Sequence, residues 1–319
     1  MCENISINVS KYLLSGNEKI RYYNIGYINK IKKLLNVQKD NPKLIIETID
    51  ISKNRKINII QEGYLIGGTK QRVVTDFIKK ILTKNKNIKT LLYAGSSNGF
   101  GPIACAYAAY KLKLKSHVFL VENNNSDEKN KIYDTRQINT LHALNANITI
   151  CNSWKKSRNL EYKLGFENTI NWKPNDEYYV CPMGFNDDSQ IMVNLLSKKI
   201  NKSMKNTLLS ETKNPRIWLV TGSGGILMAL HKSLPNAHFI ILLTGGGKYK
   251  QKIIDWSSEF NNITILKNDS FLDNKKERLN RKSYYSSVEN YDDLIWPYVK
   301  KFAKSNDFIW NVSSDDYIY

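Results

Sequence analysis

Four apolar strands in this sequence run into turns of small residues and then into helices. Thr90–Ala94 leads into Gly95-Ser96-Ser97-Asn98-Gly99-Phe100-Gly101, Arg216–Thr221 into Gly222-Ser223-Gly224-Gly225, and His238–Leu243 into Thr244-Gly245-Gly246-Gly247-Lys248. The fourth, Ile57–Gln61, is followed by Gly67-Gly68-Thr69-Lys70-Gln71-Arg72. Beyond it Val73, Val74, Phe77, Ile78, Ile81 and Leu82 recur three and four apart, the spacing of one helix face. Strands that alternate with helices pair in parallel, because a parallel neighbour needs a crossover connection. The pattern therefore predicts an α/β fold built from doubly wound, mostly parallel sheets.

The rest of the chain fits that rhythm. Helices are predicted near Ile25–Leu35, Ile103–Leu112, Asp134–Leu144, Ser189–Met204, Ile226–Ser233 and Tyr291–Ala303. Further strands are predicted at Leu44–Thr48, His117–Val121, Asn147–Cys151, Ile263–Leu266 and Asp307–Val312. A polar region at 152–178 separates the two halves, and no internal repeat is visible. With 319 residues, 41% of them hydrophobic, the chain can fill two lobes with separate cores. The predicted lobes are residues 73–180, inserted into a larger lobe made from 1–72 and 181–319.

Composition narrows the function. The net charge of +19 invites a nucleic-acid partner, but the lysines are spread over the whole chain beside many Asn and Ile residues. Such a field also draws anionic small molecules toward a cleft. The four cysteines include no CxxC pair and the four histidines no paired ligand spacing, so no metal site is expected. No 18-residue apolar run and no leader-like N-terminus occur, which predicts a cytoplasmic protein without membrane spans.

The strand-end turns are where chemistry can sit. Lys70 follows two glycines at a strand–helix corner, where desolvation would disfavour its ammonium form and free the amine as a nucleophile. Arg72 is expected to add to that effect as a nearby cation. Gly222, Ser223, Gly224 and Gly225 open a helix, so unpaired backbone N–H groups and the helix dipole converge on one point suited to phosphate. Gly245–Gly247 is a second such turn, with Lys248 as the alternative to Lys70. Ser96-Ser97-Asn98 offers hydroxyls and an amide, suited to a carboxylate or a ring hydroxyl.

A reactive lysine, an amide-bearing turn and a glycine loop, in this order, resemble the fold type II (tryptophan synthase β-like) pyridoxal-phosphate enzymes. Within them the chain is most similar to the aminocyclopropane-carboxylate deaminase and D-cysteine desulfhydrase branch. Gly67–Arg72 resembles that branch's Gly-Gly-Asn-Lys-x-Arg, Ser97-Asn98-Gly99 its Ser-Asn-His, Cys181-Pro182-Met183-Gly184 its Ile-Pro-x-Gly-Gly, and Gly222–Ile226 its Gly-Ser-Gly-Gly-Thr. Over roughly residues 40–319, the resemblance implies a two-lobed fold with the cofactor, pyridoxal 5'-phosphate, in the cleft between the lobes. It implies that Lys70 carries the cofactor and acts as acid and base, that Asn98 meets the ring hydroxyl, that Gly222–Gly225 bind the phosphate and that Ser314 meets the ring nitrogen. Ser97 would meet the substrate carboxylate or act at the reacting carbon. The chain departs from the branch at Thr69, Gly99 and Ile226, where asparagine, histidine and threonine are usual, and in ending at Tyr319 without a further helix. The expected function is a lyase or deaminase, by β-elimination or β-replacement, of a small amino acid, working as a homodimer. The alternatives are a non-catalytic homologue of the same fold, or a nucleotide or nucleic-acid modification enzyme that uses it.

Overall fold

The computed structural model describes residues 25–96, 99–121, 135–151, 155, 177–185, 190–244, 247–266, 285–287 and 291–314. The chain forms two compact units, residues 1–38 with 82–181 and residues 39–81 with 182–319.

The first unit holds a parallel sheet of four strands. These are β3 (Thr90–Ser96), β4 (Lys115–Val121), β5 (Asn147–Cys151) and β6 (Tyr178–Val180), in the order β5-β4-β3-β6. Leu92, Ala94, Phe119 and Cys151 form its core, with Tyr178 and Val180 packed against them. Helix α3 (Phe100–Leu112) is buried along nearly its whole length, which is why it is built from Gly, Ala and Cys rather than from one apolar stripe. It lies so close to β3 that a Cβ on Gly101 would come within 2.1 Å of the Tyr93 hydroxyl. Helix α1 (Ile25–Val37) packs with α4 (Thr135–Ala143) in this same unit, whereas residues 1–72 were assigned from sequence to the other lobe.

The second unit holds six strands in the order β1-β2-β10-β7-β8-β9. Strand β1 (Ile46–Ser52) pairs antiparallel with β2 (Arg55–Gln61) through a tight turn at Lys53 and Asn54. The remaining pairs, among β2, β10 (Phe308–Asn311), β7 (Arg216–Thr221), β8 (His238–Leu243) and β9 (Ile263–Ile265), are parallel. The antiparallel edge was not read from sequence; the predicted strand Leu44–Thr48 begins later and runs on to Ser52. Its alternating, half-exposed burial is that of an edge. The inner strands β7 and β8 are buried on both faces. Every second residue, Ile59, Trp218, Val220, Ile240, Leu242 and Ile309, joins one core cluster under Trp296 and Val299 of α9 (Trp296–Phe302). Helices α5 (Ile191–Ser203) and α7 (Gly225–Ser233) pack on each other, the short α6 (Leu208–Glu211) follows α5, and α8 (Gly247–Ser257) follows β8. Among the described residues no helix is long and apolar enough to cross a membrane.

The chain passes from the second unit to the first inside α2 (Gln71–Lys84), and the division falls after Ile81 rather than after Arg72. The first turns of α2 are bolted to the second unit. The Arg72 guanidinium donates to both carboxylate oxygens of Glu62 at 2.6 Å, and also to Asn41, to the Pro42 carbonyl and to Ser203. Asp76 pairs with Lys199 at 2.6 Å, and Phe77 meets Phe185 edge-on with ring centres 6.0 Å apart. Arg72 and Glu62 are both almost wholly buried. Removing one partner of such a pair leaves the other charge uncompensated, which costs about 3–5 kcal/mol. Glu62→Gln should therefore lower the unfolding free energy from urea titration by that amount, with a lower midpoint, and Arg72→Lys should restore less than half of what Arg72→Met loses, because an ammonium cannot reproduce the two-pronged contact. An unchanged midpoint in Glu62→Gln would mean that the clamp does not hold the corner.

Candidate active site

The corner that carries Lys70 is built from backbone as much as from side chains. Past the end of β2 the chain makes a short turn at Glu62–Tyr64 and a second at Gly68–Lys70, which continues directly into α2. Gly68 has a φ of +61°, and a Cβ there would lie 2.7 Å from the Val312 carbonyl oxygen, so only glycine serves. Thr69 donates its N–H to that same carbonyl at 3.0 Å, and its hydroxyl accepts the Trp310 indole N–H at 2.9 Å. Thr69, the departure from the asparagine that the resemblance leads one to expect, is thus a fully buried tie to β10. Gln71 closes the turn by accepting the Gly67 N–H at 2.9 Å.

Lys70 ends this second turn, immediately before α2. Burial pulls its pKa from 10.5 down to about 8. The expected help from Arg72 is absent, because that cation is matched by Glu62 and desolvation alone acts on Lys70. The unfolded chain would bind a proton on this residue between pH 8 and pH 10.5 that the folded chain does not, so stability rises with pH across that window.

Strand β10 lies between β2 and β7, with Asn311 opposite Gln61 and Trp310 opposite Leu219. The C-terminal ends of β2 and β7 are therefore two strand spacings apart, about 10 Å. At the end of β7 comes Gly222-Ser223-Gly224, with Gly224 at a φ of +82°, and α7 begins at Gly225. The first amides of a nine-residue helix have no intrahelical acceptor and face the turn. The Cys181–Gly184 segment reaches the same loop: Gly184, at a φ of +69°, would place a Cβ 2.2 Å from the Ser223 hydroxyl. The nearest atoms to a Cβ on Gly222 would be two hydroxyls, Thr244 Oγ1 at 3.6 Å and Tyr291 OH at 3.7 Å. Amides at a helix start and hydroxyls around a bare glycine make a cradle suited to an anion.

Ser314, just beyond β10, is 2% exposed, hydrogen-bonds through its hydroxyl with Ser286, and sits against the bare Cα of Gly63. The preceding residue is fixed by Asp292, whose Oδ2 accepts the Ser313 N–H at 3.1 Å. Burial raises the Asp292 carboxyl well above the usual range, against the pull of the Val312 and Ser313 amides. Lys70, the Gly222–Gly225 loop and Ser314 thus share one edge of one sheet. Ser97, Asn98, Gly245 and Gly246 lie outside the described residues, while Gly247 and Lys248 open α8. Tyr291 and Asp292 were missed from sequence because nothing near them is glycine-rich. Thr244 carried a signal, since it begins the turn after β8. Among the described residues no group of His, Cys, Asp and Glu is placed to hold a metal ion.

No family model and no curated protein matches the sequence. Solved structures do. A hydrogen sulfide-producing enzyme from Fusobacterium nucleatum is 14% identical, covers 91% of this chain and 99% of its own, and superposes with a TM-score of 0.57. A homologue of ACC deaminase is 16% identical, with 90% and 94% covered and a TM-score of 0.58. Escherichia coli diaminopropionate ammonia lyase in complex with D-serine is 12% identical, with 94% and 92% covered and a TM-score of 0.59. The chain has the tryptophan synthase β-like fold. Within the tryptophan synthase β-like fold of this chain, the corner before α2 and the loop before α7 occupy the carboxyl end of parallel strands, where open α/β sheets take ligands.

The lowered pKa of Lys70 can be read directly. Competitive labelling with acetic anhydride and peptide mapping should give Lys70 a midpoint near pH 8. A Lys70 midpoint at its ordinary value of 10.5 would show that burial does not act on the amine.

Proposed function

We propose that this protein binds pyridoxal 5'-phosphate through Lys70 and acts as a lyase or deaminase on a small amino acid, by β-elimination or β-replacement. The observation that carries this reading is the Lys70 amine, held by burial at a pKa of about 8 on the sheet edge that also presents the Gly222–Gly225 cradle. The separation of about 10 Å between the ends of β2 and β7 suits a phosphorylated pyridine ring lying across β10. When bound, the cofactor supplies an electron sink for the pair left at the substrate Cα.

The chain's own residues would do the rest. Lys70 holds the cofactor through its amine and, once displaced by the substrate's amine, takes the proton from Cα. An amine with a pKa of about 8 is free of its proton often enough near neutrality to act as that base. The amides of Ser223, Gly224 and Gly225 bind the phosphate, and Ser314 donates a hydrogen bond to the ring nitrogen. A hydroxyl donor leaves that nitrogen without a full charge, which favours elimination or replacement over reactions that need the strongest sink. Ser97 is assigned to the substrate carboxylate or the reacting carbon, and Asn98 to the ring hydroxyl. We place the protein in the cytoplasm as a homodimer, with the two units as the lobes of the enzyme. A cofactor-free homologue of the same fold is the second reading, and it draws on Ile226, whose buried side chain stands where a phosphate-binding hydroxyl is expected.

Purified protein mixed with pyridoxal 5'-phosphate should gain a visible absorption band that shifts on adding an amino-acid substrate. Borohydride reduction and peptide mapping should then find the phosphopyridoxyl group on Lys70. A label on Lys248 would move the site, and no label on any lysine would leave the cofactor-free reading. The cradle is best probed at Gly222. Its added Cβ meets nothing nearer than 3.6 Å, whereas Gly224 combines a φ of +82° with a contact of 2.9 Å to Ile253 and would strain the fold. Gly222→Ala should keep the wild-type melting temperature within about 2 °C and weaken cofactor retention several-fold.

A further inference from the structure

The phosphate cradle has a gap in its chemistry, and the fold fills it from elsewhere. Ile226 is 7% exposed and its side chain brings no donor to the loop. Two hydroxyls approach it instead from the ends of other elements. Thr244 is the first residue past β8, and Tyr291 immediately precedes the short turn at Asp292–Ile295 that leads into α9. Thr244 is anchored by its own N–H, which donates to the Thr221 carbonyl at 3.0 Å, and its hydroxyl lies 3.4 Å from that carbonyl. The phenol oxygen of Tyr291 and the Thr244 hydroxyl both face the bare Cα of Gly222, 3.7 and 3.6 Å from where a Cβ would stand. The phenol's own hydrogen points to the Val220 carbonyl at 3.5 Å, the outer limit of a hydrogen bond, and so is free to turn to a better acceptor. The next residue, Asp292, is pinned to the Ser313 amide at 3.1 Å, which fixes where the phenol can stand.

We infer that Tyr291 and Thr244 donate to the phosphate of the cofactor the hydroxyl hydrogen bonds that Ile226 cannot. This rests on the cofactor reading above. The phenol is suited to the task because burial and the neighbouring Asp292 hold its pKa up, so it stays a neutral donor toward an anion. One short segment then serves both ends of the ligand: Tyr291 reaches the phosphate loop, while Asp292 sets the turn that carries Ser314.

The test separates the phosphate from the ring. Binding of pyridoxal 5'-phosphate and of pyridoxal, which lacks the phosphate, is measured by absorbance titration for the wild type, Tyr291→Phe and Thr244→Val. Tyr291→Phe should raise the Kd for pyridoxal 5'-phosphate about tenfold or more, as expected for a hydrogen bond to a charged group, and leave that for pyridoxal unchanged. Thr244→Val should act in the same direction by a smaller factor, and the phosphorus resonance of the bound cofactor should shift in both variants. Equal Kd values for pyridoxal 5'-phosphate in all three proteins would overturn the inference while sparing the cofactor reading. An equal loss for both compounds would also overturn it, by showing that the phenol shapes the pocket rather than meeting the phosphate. A wild type that binds neither compound would remove the cofactor reading, and this inference with it. Should circular dichroism show Tyr291→Phe to be unfolded, Thr244→Val alone decides, because its hydroxyl is exposed and its loss leaves the packing intact.

Discussion

The parallel pairing of β10 between β2 and β7 is the constraint on which the rest of the second unit depends. It sets Asn311 beside Gln61 and Trp310 beside Leu219, and so fixes how far the ends of β2 and β7 lie from one another. The corner before α2 is then tied to the strand itself, through Thr69 to Val312 and Trp310. Beyond the strand, Ser313 and Ser314 are held by Asp292 and Ser286. A single strand thus places the amine, the cradle and the buried serine by backbone geometry. The backbone at these three places is held by the sheet itself, which gives any site built there a rigid base.

Three ionisable groups near this edge of the second unit, Arg72, Asp292 and Lys70, meet different surroundings. Arg72 is matched in two-pronged fashion by Glu62 and keeps its charge as a structural clamp. Asp292 is met by backbone amides, yet burial outweighs them and shifts its carboxyl upward. Among the described residues no counter-ion acts on Lys70, and burial shifts it toward the free amine. The contrast has a physical basis. Burial disfavours any charge, and only a partner of opposite sign in direct contact cancels the penalty. One residue separates Lys70 from Arg72 in sequence, and the Glu62 carboxylate gives Arg72 a counter-charge in direct contact.

Much of this was legible in the sequence, because the signals were local. Apolar runs ending in glycine marked β3, β7 and β8, and the three-and-four spacing after Lys70 marked α2. Gly68 and Gly224 stand where positive φ angles demand glycine. The misses are contacts between distant segments. The antiparallel pairing of β1 was hidden because Lys53-Asn54 is a weak turn signal and β1 mixes charged with apolar residues. The packing of α1 on α4 joins segments about a hundred residues apart, which no local pattern reveals. Arg72 was read as a neighbour of Lys70 when its partner is Glu62, ten positions earlier and across the corner. Tyr291 and Asp292 have no motif at all; they matter only because α9 returns them to the ends of β7 and β10.

The central place of β10 also bears on how the molecule is made. The side chains of Asn311 and Gln61 that meet across the sheet are 250 positions apart, and β2 has no parallel neighbour until β10 arrives. The hairpin of β1 and β2 is therefore synthesised early and must wait, with one hydrogen-bonding edge open, while the intervening residues leave the ribosome. Pairings of such high contact order form slowly, and an unsatisfied strand edge can recruit another chain. The first unit, whose strands lie between residues 90 and 180, has no such dependence and can consolidate before translation ends. The order of events during biosynthesis is thus written in which strand was given the middle of the sheet.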